Sequence, residues 1–404
     1  MVSIGLSYCD ARGRIFFDPS VEPLADGGML RTVGDDDLIA APPGTVSMVL
    51  PGRHPKTTSG VQRRRSTHAV MLPAGYTRLL LPAYETDAHA ATLPLFGYTF
   101  ACERDDELFV AAMRTDESED WAPREFADGE LEAILEARMA TDPQNRVLQQ
   151  VALCSREYGC FTAQNVFLER GEAALPVSPK CNARCIGCIS EQDDQSTVPS
   201  PQTRIAEEVA ADEVARVAVH HLERVGDGIV SFGQGCEGEP LLRAVTIARA
   251  IEKTRANVSN GTINLNTNGS MPSSLQRCID AGLQAVRISL NSFRPEVYAA
   301  YYRPLGYALD DVLESIRLAC DAKLRVSLNL LTHPGVTDAV DEIAAMTAFL
   351  QSVRPTMIQT RTLNIDPEAY FSAVGRPGSV IGMRAALAAM RSSDVRVGNF
   401  THTH

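Results

Sequence analysis

The chain has 404 residues, 45% hydrophobic and 22% charged, which is normal for a folded protein and at this length favours two domains. Its formal net charge of −12 opposes nucleic acid as a general partner, because phosphate contacts need an excess of Lys and Arg. No stretch approaches the roughly eighteen unbroken apolar residues of a membrane-crossing helix, so no membrane is expected.

The N-terminus shows no basic segment followed by a long apolar one, so the cytoplasm is the default location. In that reducing setting ten cysteines point to thiolate chemistry rather than disulfides. Cys102, Cys278 and Cys320 lie in apolar or helical contexts and read as small buried hydrophobes. Residues 1–115 carry short apolar runs broken by Gly, Pro and Asp, among them Thr45–Leu50, Ala69–Leu72 and Phe109–Met113, which predicts a β-rich region. Arg63-Arg64-Arg65 is either a solvated loop or a docking point for an anion. Helical spacing follows over residues 129–153. No internal repeat and no D-x-H-x-x-G cobalamin fingerprint occurs in this half.

Beyond residue 170 strands and helices alternate, which implies a parallel sheet. The expected strands are 174–178, 228–233, 261–266, 284–290, 324–330 and 356–363. The expected helices lie near 203–224, 240–256, 272–281, 308–321, 338–352 and 379–391. Thr203 is the expected N-cap of the first, with Ile205, Val209, Val214 and Val217 on its apolar face.

Cys181-Asn-Ala-Arg-Cys185-Ile-Gly-Cys188 is the most informative segment. Three thiolates in one loop fall short of the four ligands that close a structural zinc site. An iron–sulfur cube held by three cysteines leaves one iron open to an organic ligand.

This loop, with Gly238-Glu239-Pro240 after the second strand, resembles the radical S-adenosylmethionine (radical SAM) superfamily over roughly residues 172–404. The resemblance implies a partial (β/α)6 barrel over residues 171–404, behind a separate β-rich N-terminal domain, residues 1–170, that ends in helix. It implies that Cys181, Cys185 and Cys188 bind a 4Fe–4S cluster whose open iron takes S-adenosylmethionine (SAM). Reductive cleavage then gives a 5′-deoxyadenosyl radical that abstracts hydrogen from a substrate. Gly238, Glu239 and Pro240 are similar to the segment that holds the methionine ammonium group. Asn266, Asn268 and Gly269, ending the third strand, and Ser289 and Asn291, ending the fourth, are expected at the barrel mouth beside SAM. Arg303 is a candidate for the SAM carboxylate and Asn329 ends the fifth strand. The usual family reductant is flavodoxin or ferredoxin.

Gln359, Arg361, Asn364, Asp366 and Tyr370 form the candidate substrate wall, where an arginine favours a carboxylate or phosphate; otherwise Arg361 and Asp366 simply pair. Cys236 is a candidate hydrogen donor or redox thiol, or else a small residue in a tight loop. Cys154 and Cys160 are a candidate second metal site with Cys9 or Cys236. The family often has an aromatic residue before the third cysteine, where this chain has Gly187, and Ile186 or Phe232 is the expected replacement against adenine. The favoured substrate is a peptide or protein, with a small acidic molecule as the alternative. Pro334-Gly335-Val-Thr337-Asp338 is similar to a run in glycyl-radical-enzyme activases, and Gly-Glu-Pro-Leu-Leu242 hints at RNA methylation. A noncatalytic metal-binding scaffold is the reading from another class.

Overall fold

The structure, a computed structural model, describes residues 4–10, 12–116, 128–192 and 196–400. The run-and-break pattern of the first hundred residues becomes antiparallel sheets, the largest with eight strands among the described residues. Its strands Thr99–Arg104 and Glu107–Arg114 form a hairpin in which Arg104 faces Glu107. The two loop residues, Asp105 and Asp106, have φ of 54° and 63°, the left-handed pair that a type I′ turn requires. The arginine run is engaged locally: Arg63 pairs with Glu85, and Arg65 reaches Asp18 at 2.6 Å. Three helices, Asp128–Thr141, Arg146–Glu157 and Phe161–Leu168, lead out of this region.

Seven parallel strands follow in sequential order: β1 (Glu172–Ala174), β2 (Ile229–Phe232), β3 (Thr262–Thr267), β4 (Ala285–Leu290), β5 (Arg325–Thr332), β6 (Met357–Thr362) and β7 (Arg396–Gly398). Among the described residues no pairing joins β1 to β7, so the barrel is open. The helices are α1 (Ala211–Arg224), α2 (Ala244–Arg255), α3 (Pro272–Asp280), α4 (Pro295–Tyr302), α5 (Leu309–Asp321), α6 (Val340–Ser352), α7 (Pro367–Val374) and α8 (Met383–Ser392). The partial barrel and β-rich region expected from sequence are both present.

Several details differ from expectation. β1 spans Glu172–Ala174 where residues 174–178 were expected, and the buried residues 175–178 lead on into the cysteine loop. β7 is a seventh strand, too short at three residues to show periodicity. α4 and α7 were not foreseen, although each begins with proline at N1, where the missing N–H is harmless. Thr203 does not cap α1, which starts eight residues later after Ala210. The intervening segment is tied as a loop instead, with Ile205 N–H donating to the Cys236 carbonyl at 2.8 Å.

One hydrophobic cluster runs through both halves, joining Leu79–Leu81 and Phe100 to Leu290, Leu330 and Ile365. Polar ties cross the same seam. Arg78, fully buried, donates to the carbonyls of Tyr98 (3.1 Å) and Leu363 (3.0 Å), and Thr77 meets Thr360 at 2.8 Å.

Candidate active site

The cysteine loop leaves β1 through buried residues 175–178. Glu237 pins this base, accepting from the N–H groups of Val177 and Ser178 at 2.9 Å each and from Gly233 at the end of β2. The next residues lock onto the loop directly, Gly238 N–H to Ser178 O at 2.7 Å and Glu239 N–H to Lys180 O at 2.9 Å. A Cβ on Gly238 would overlap the Lys180 carbonyl, so only glycine permits this approach. Glu239 then accepts from Leu241 N–H (2.9 Å), the Thr267 hydroxyl (2.6 Å) and Asn268 N–H (2.8 Å), joining the loop to the end of β3. Burial pushes its carboxyl up to about 7, against those three donors.

The other flank of the loop is tied to the end of α4. Arg184 and Ile186 N–H donate to the carbonyls of Tyr302 (3.0 Å) and Tyr301 (3.1 Å), and Leu305 N–H donates to Asn182 O (2.8 Å). The three thiols are free and half-buried. Burial pushes Cys181 up to about 11 and Cys185 well above the usual thiol range, and the sulfurs raise one another further. Among the described residues no three Cys, His, Asp or Glu side chains are arranged to hold a single metal ion. Thiols that sense one another without a fourth protein ligand suit a larger cationic group with an open position.

The loop separates two cavities. The inner one, about 810 Å³, is lined by Cys181 and Cys188, by Gly238–Pro240, and by the barrel interior. That interior is polar at every second position. Asn264 and Asn266 alternate with Ile263 and Leu265 on β3, and Arg287 and Ser289 alternate with Val286 and Ile288 on β4, as a half-polar strand requires. Asn264 bonds Ser231 (3.0 Å) and Asn266 (3.2 Å), and Asn329 donates to Ser289 (3.1 Å). Arg287 grips Glu172 with two hydrogen bonds, 2.7 and 2.9 Å, in a pair whose side chains are each 10% exposed. Asn266, Asn268, Ser289, Asn329, Gln359 and Arg361 all line this cavity.

Other expected site residues lie elsewhere. Asn291 is fully buried, and its amide donates to Val297 O (3.3 Å) and the Tyr370 hydroxyl (3.0 Å), so it faces the layer behind the strands. Tyr370 is buried there with it, 4.6 Å from the His333 ring. Arg303 ends α4 at φ 46°, is exposed, and lines the outer cavity of about 970 Å³ beyond the cysteine loop. Its place is set by the chain reversal that hands residues 303–305 to the loop. Asp366 does not pair with Arg361. It binds Arg53 (3.1 Å) and Leu93 N–H (2.8 Å) and caps α7 through Glu368 N–H (2.9 Å). Asn364 sits by Gly97, away from the inner cavity. Cys236 is 1% exposed and hydrogen-bonded to Cys154, a contact that raises its thiol together with burial. Of the thiols considered with it, Cys9 is buried in an N-terminal strand.

Gly187 is closely packed, since a Cβ there would stand 3.0 Å from the Tyr301 hydroxyl and the tyrosine would have to give way. Neither proposed substitute lines the inner cavity: Ile186 faces the outer one and Phe232 is buried. Ile189, Tyr302 and Phe161 supply its apolar surface instead. Sequence reasoning also passed over Glu172, Glu237 and Arg287. The period-two alternation on β4 was the available signal for Arg287, whereas Glu172 and Glu237 carry none.

Residues 175–347 match the family model described as the Radical SAM superfamily. Through this segment the chain is similar to the radical SAM superfamily, whose cofactors are a 4Fe–4S cluster and SAM. It is similar to the GTP 3′,8-cyclase of Desulforamulus reducens, 30% identical over 171 residues covering 41% of this chain and 47% of that protein. It is also similar to the FeMo cofactor biosynthesis protein NifB of Klebsiella pneumoniae, 24% identical over 200 residues, 45% of this chain and 42% of that one. This chain therefore spans less than half the length of either relative. A solved radical SAM methyltransferase from Sphaerobacter thermophilus aligns with a TM-score of 0.40 at 16% identity, over 55% of this chain and 64% of that one.

Proposed function

We propose that the protein is a radical SAM enzyme that takes hydrogen from a substrate held in the inner cavity. The observation that carries this reading is that a single cavity is lined by Cys181, Cys188, the Gly238–Pro240 segment and the polar ends of β3, β4 and β5. Cys181, Cys185 and Cys188 would bind the cluster. Gly238–Pro240 would hold the methionine end of SAM, and Asn266, Asn268, Ser289 and Asn329 its polar remainder. When bound, cluster and SAM supply an electron and a primary carbon radical able to take hydrogen from an unactivated carbon.

The chain's own residues position and enclose. Glu237 and Glu239 fix the spacing between the cysteine loop and the ends of β2 and β3 through six hydrogen bonds. Ala74 and Phe400 bring the N-terminal region and the segment after β7 to the cavity wall, which supports a role for both in excluding water and oxygen. Peptides, proteins and small molecules remain the candidate substrates. A reductant would approach from the opposite side of the loop, where Lys180, Arg184 and Arg303 are exposed around the outer cavity.

The test is anaerobic reconstitution with iron and sulfide, then dithionite and SAM, assayed for 5′-deoxyadenosine. Product from the wild type and none from Cys185→Ala supports the reading. A colourless protein carrying one zinc and making no product would establish the scaffold alternative.

A further inference from the structure

Arg361 has no ion-pair partner among the described residues, and Glu172 acts on its charge only from beyond ion-pair distance. Arg361 lies on β6, two residues beyond Gln359 and in register with Leu331. Its side chain has ample accessible surface although it lies deep, because that surface opens on the inner cavity. Among the described residues no carboxylate comes within ion-pair distance of its guanidinium, and the acidic groups nearby are committed. Glu172 holds Arg287, Asp366 holds Arg53, and Glu237 and Glu239 accept from backbone N–H groups. Burial lowers the pKa of Arg361, the Arg287 guanidinium pushes the same way, and Glu172 opposes them. Arginine nevertheless stays protonated in proteins, so the positive charge remains. Arg287, also on the cavity wall, offers a second donor: its buried Nε–H has no hydrogen-bond partner among the described residues.

An interior cation without a counter-charge is costly, and a well-packed chain does not retain one without a compensating group. We propose that Arg361, assisted by the Arg287 Nε–H, is an anion subsite at the β6 end of the cavity that takes the carboxylate or phosphate group of the substrate. This deepens the radical SAM reading and rests on it for what occupies the rest of the cavity. The cysteine and Gly238–Pro240 end belongs to SAM; the arginine end belongs to the molecule that reacts. A planar fork with parallel N–H donors matches either oxyanion.

The test uses the full reconstituted chain under anaerobic conditions, titrated separately with inorganic phosphate and with acetate at fixed ionic strength and followed by calorimetry. One of the two binds the wild type, and its identity distinguishes a phosphorylated substrate from a carboxylic acid. Arg361→Met, or Arg361→Gln as a second variant, weakens that binding by about tenfold or more, the scale of a lost charge-assisted pair. The same substitutions raise the thermal midpoint without anion, since they remove an uncompensated charge. S-adenosylhomocysteine binds wild type and variants alike.

Three results would overturn the proposal. They are equal anion binding by Arg361→Met, no binding of either anion by the wild type, or a parallel loss of S-adenosylhomocysteine affinity, which would give Arg361 to the SAM carboxylate. If the wild type binds no S-adenosylhomocysteine and forms no 5′-deoxyadenosine while anion binding still needs Arg361, the radical reading fails and the subsite stands.

Discussion

Arg53 and Asp366 form an ion pair at 3.1 Å with both side chains 3% exposed, one from the β-rich region and the other from the loop after β6. Asp366 also accepts from Leu93 N–H and caps α7, so one carboxylate closes three connections. Asp366→Ala strands the buried Arg53 charge and is expected to destabilise the protein by about 3–5 kcal/mol. Asp366→Asn keeps one acceptor oxygen, enough for the α7 cap on one carboxylate oxygen or for Leu93 N–H on the other but not for both, and is expected to lose less than Asp366→Ala. Urea unfolding of both variants checks the order.

Gly28 and Gly335 meet backbone to backbone across the same seam. A Cβ on Gly28 would stand 2.7 Å from Gly335 Cα, and one on Gly335 would stand 2.5 Å from Gly28 Cα; both have positive φ, 94° and 86°. Alanine at either position therefore combines a clash with an unfavourable backbone, and a loss of more than about 1 kcal/mol is expected. Thermal unfolding of Gly335→Ala is the measurement, and an unchanged midpoint would refute this account. The contact also explains the glycine in the Pro-Gly-Val-Thr-Asp run. Thr337 and Asp338 close that turn, accepting from His333 and Gly335 N–H at 2.9 and 2.6 Å, and α6 begins after Ala339.

Gly238→Ala should push the cysteine loop away from the segment beside it while leaving the remote core intact. S-adenosylhomocysteine affinity is expected to fall by on the order of tenfold, about 1.4 kcal/mol, with little change in the unfolding midpoint. Calorimetry on the reconstituted protein tests it; unchanged affinity would mean the close approach to Lys180 is dispensable.

His68 gives the β-rich region a pH dependence. It is 2% exposed and bonded to the Ser7 hydroxyl, and burial lowers its pKa to about 4. The unfolded chain binds a proton near pH 6.5 and the folded one only near pH 4, so stability is full above 6.5 and falls as pH drops through this window. The contribution is about 3 kcal/mol at most. His68→Leu should flatten that part of the stability-versus-pH curve, read by urea midpoints between pH 7 and 4.5; an unaltered slope would sink the assignment.

The residues legible in sequence were those whose chemistry is local. Three cysteines in eight residues, a Gly-Glu-Pro turn and strands with alternating polarity announce themselves, and β2 to β6 appear within two residues of their expected bounds. Asn291 and Arg303 were misplaced because strand alternation and the reversal after α4 decide which way they face. Asp366 was misread because its partner lies 313 residues away. Glu172 was missed for a related reason: its meaning depends on Arg287, 115 residues later.

The cysteine loop is a partition with a chamber on each side, since Cys181 and Cys188 line both cavities and Cys185 lines the outer one. Two visitors can therefore reach the cysteine loop through different doors, meeting Cys181 and Cys188 from either side. Steady-state kinetics should accordingly show the electron source and the molecule being transformed adding in either order, with neither acting as a competitive inhibitor of the other.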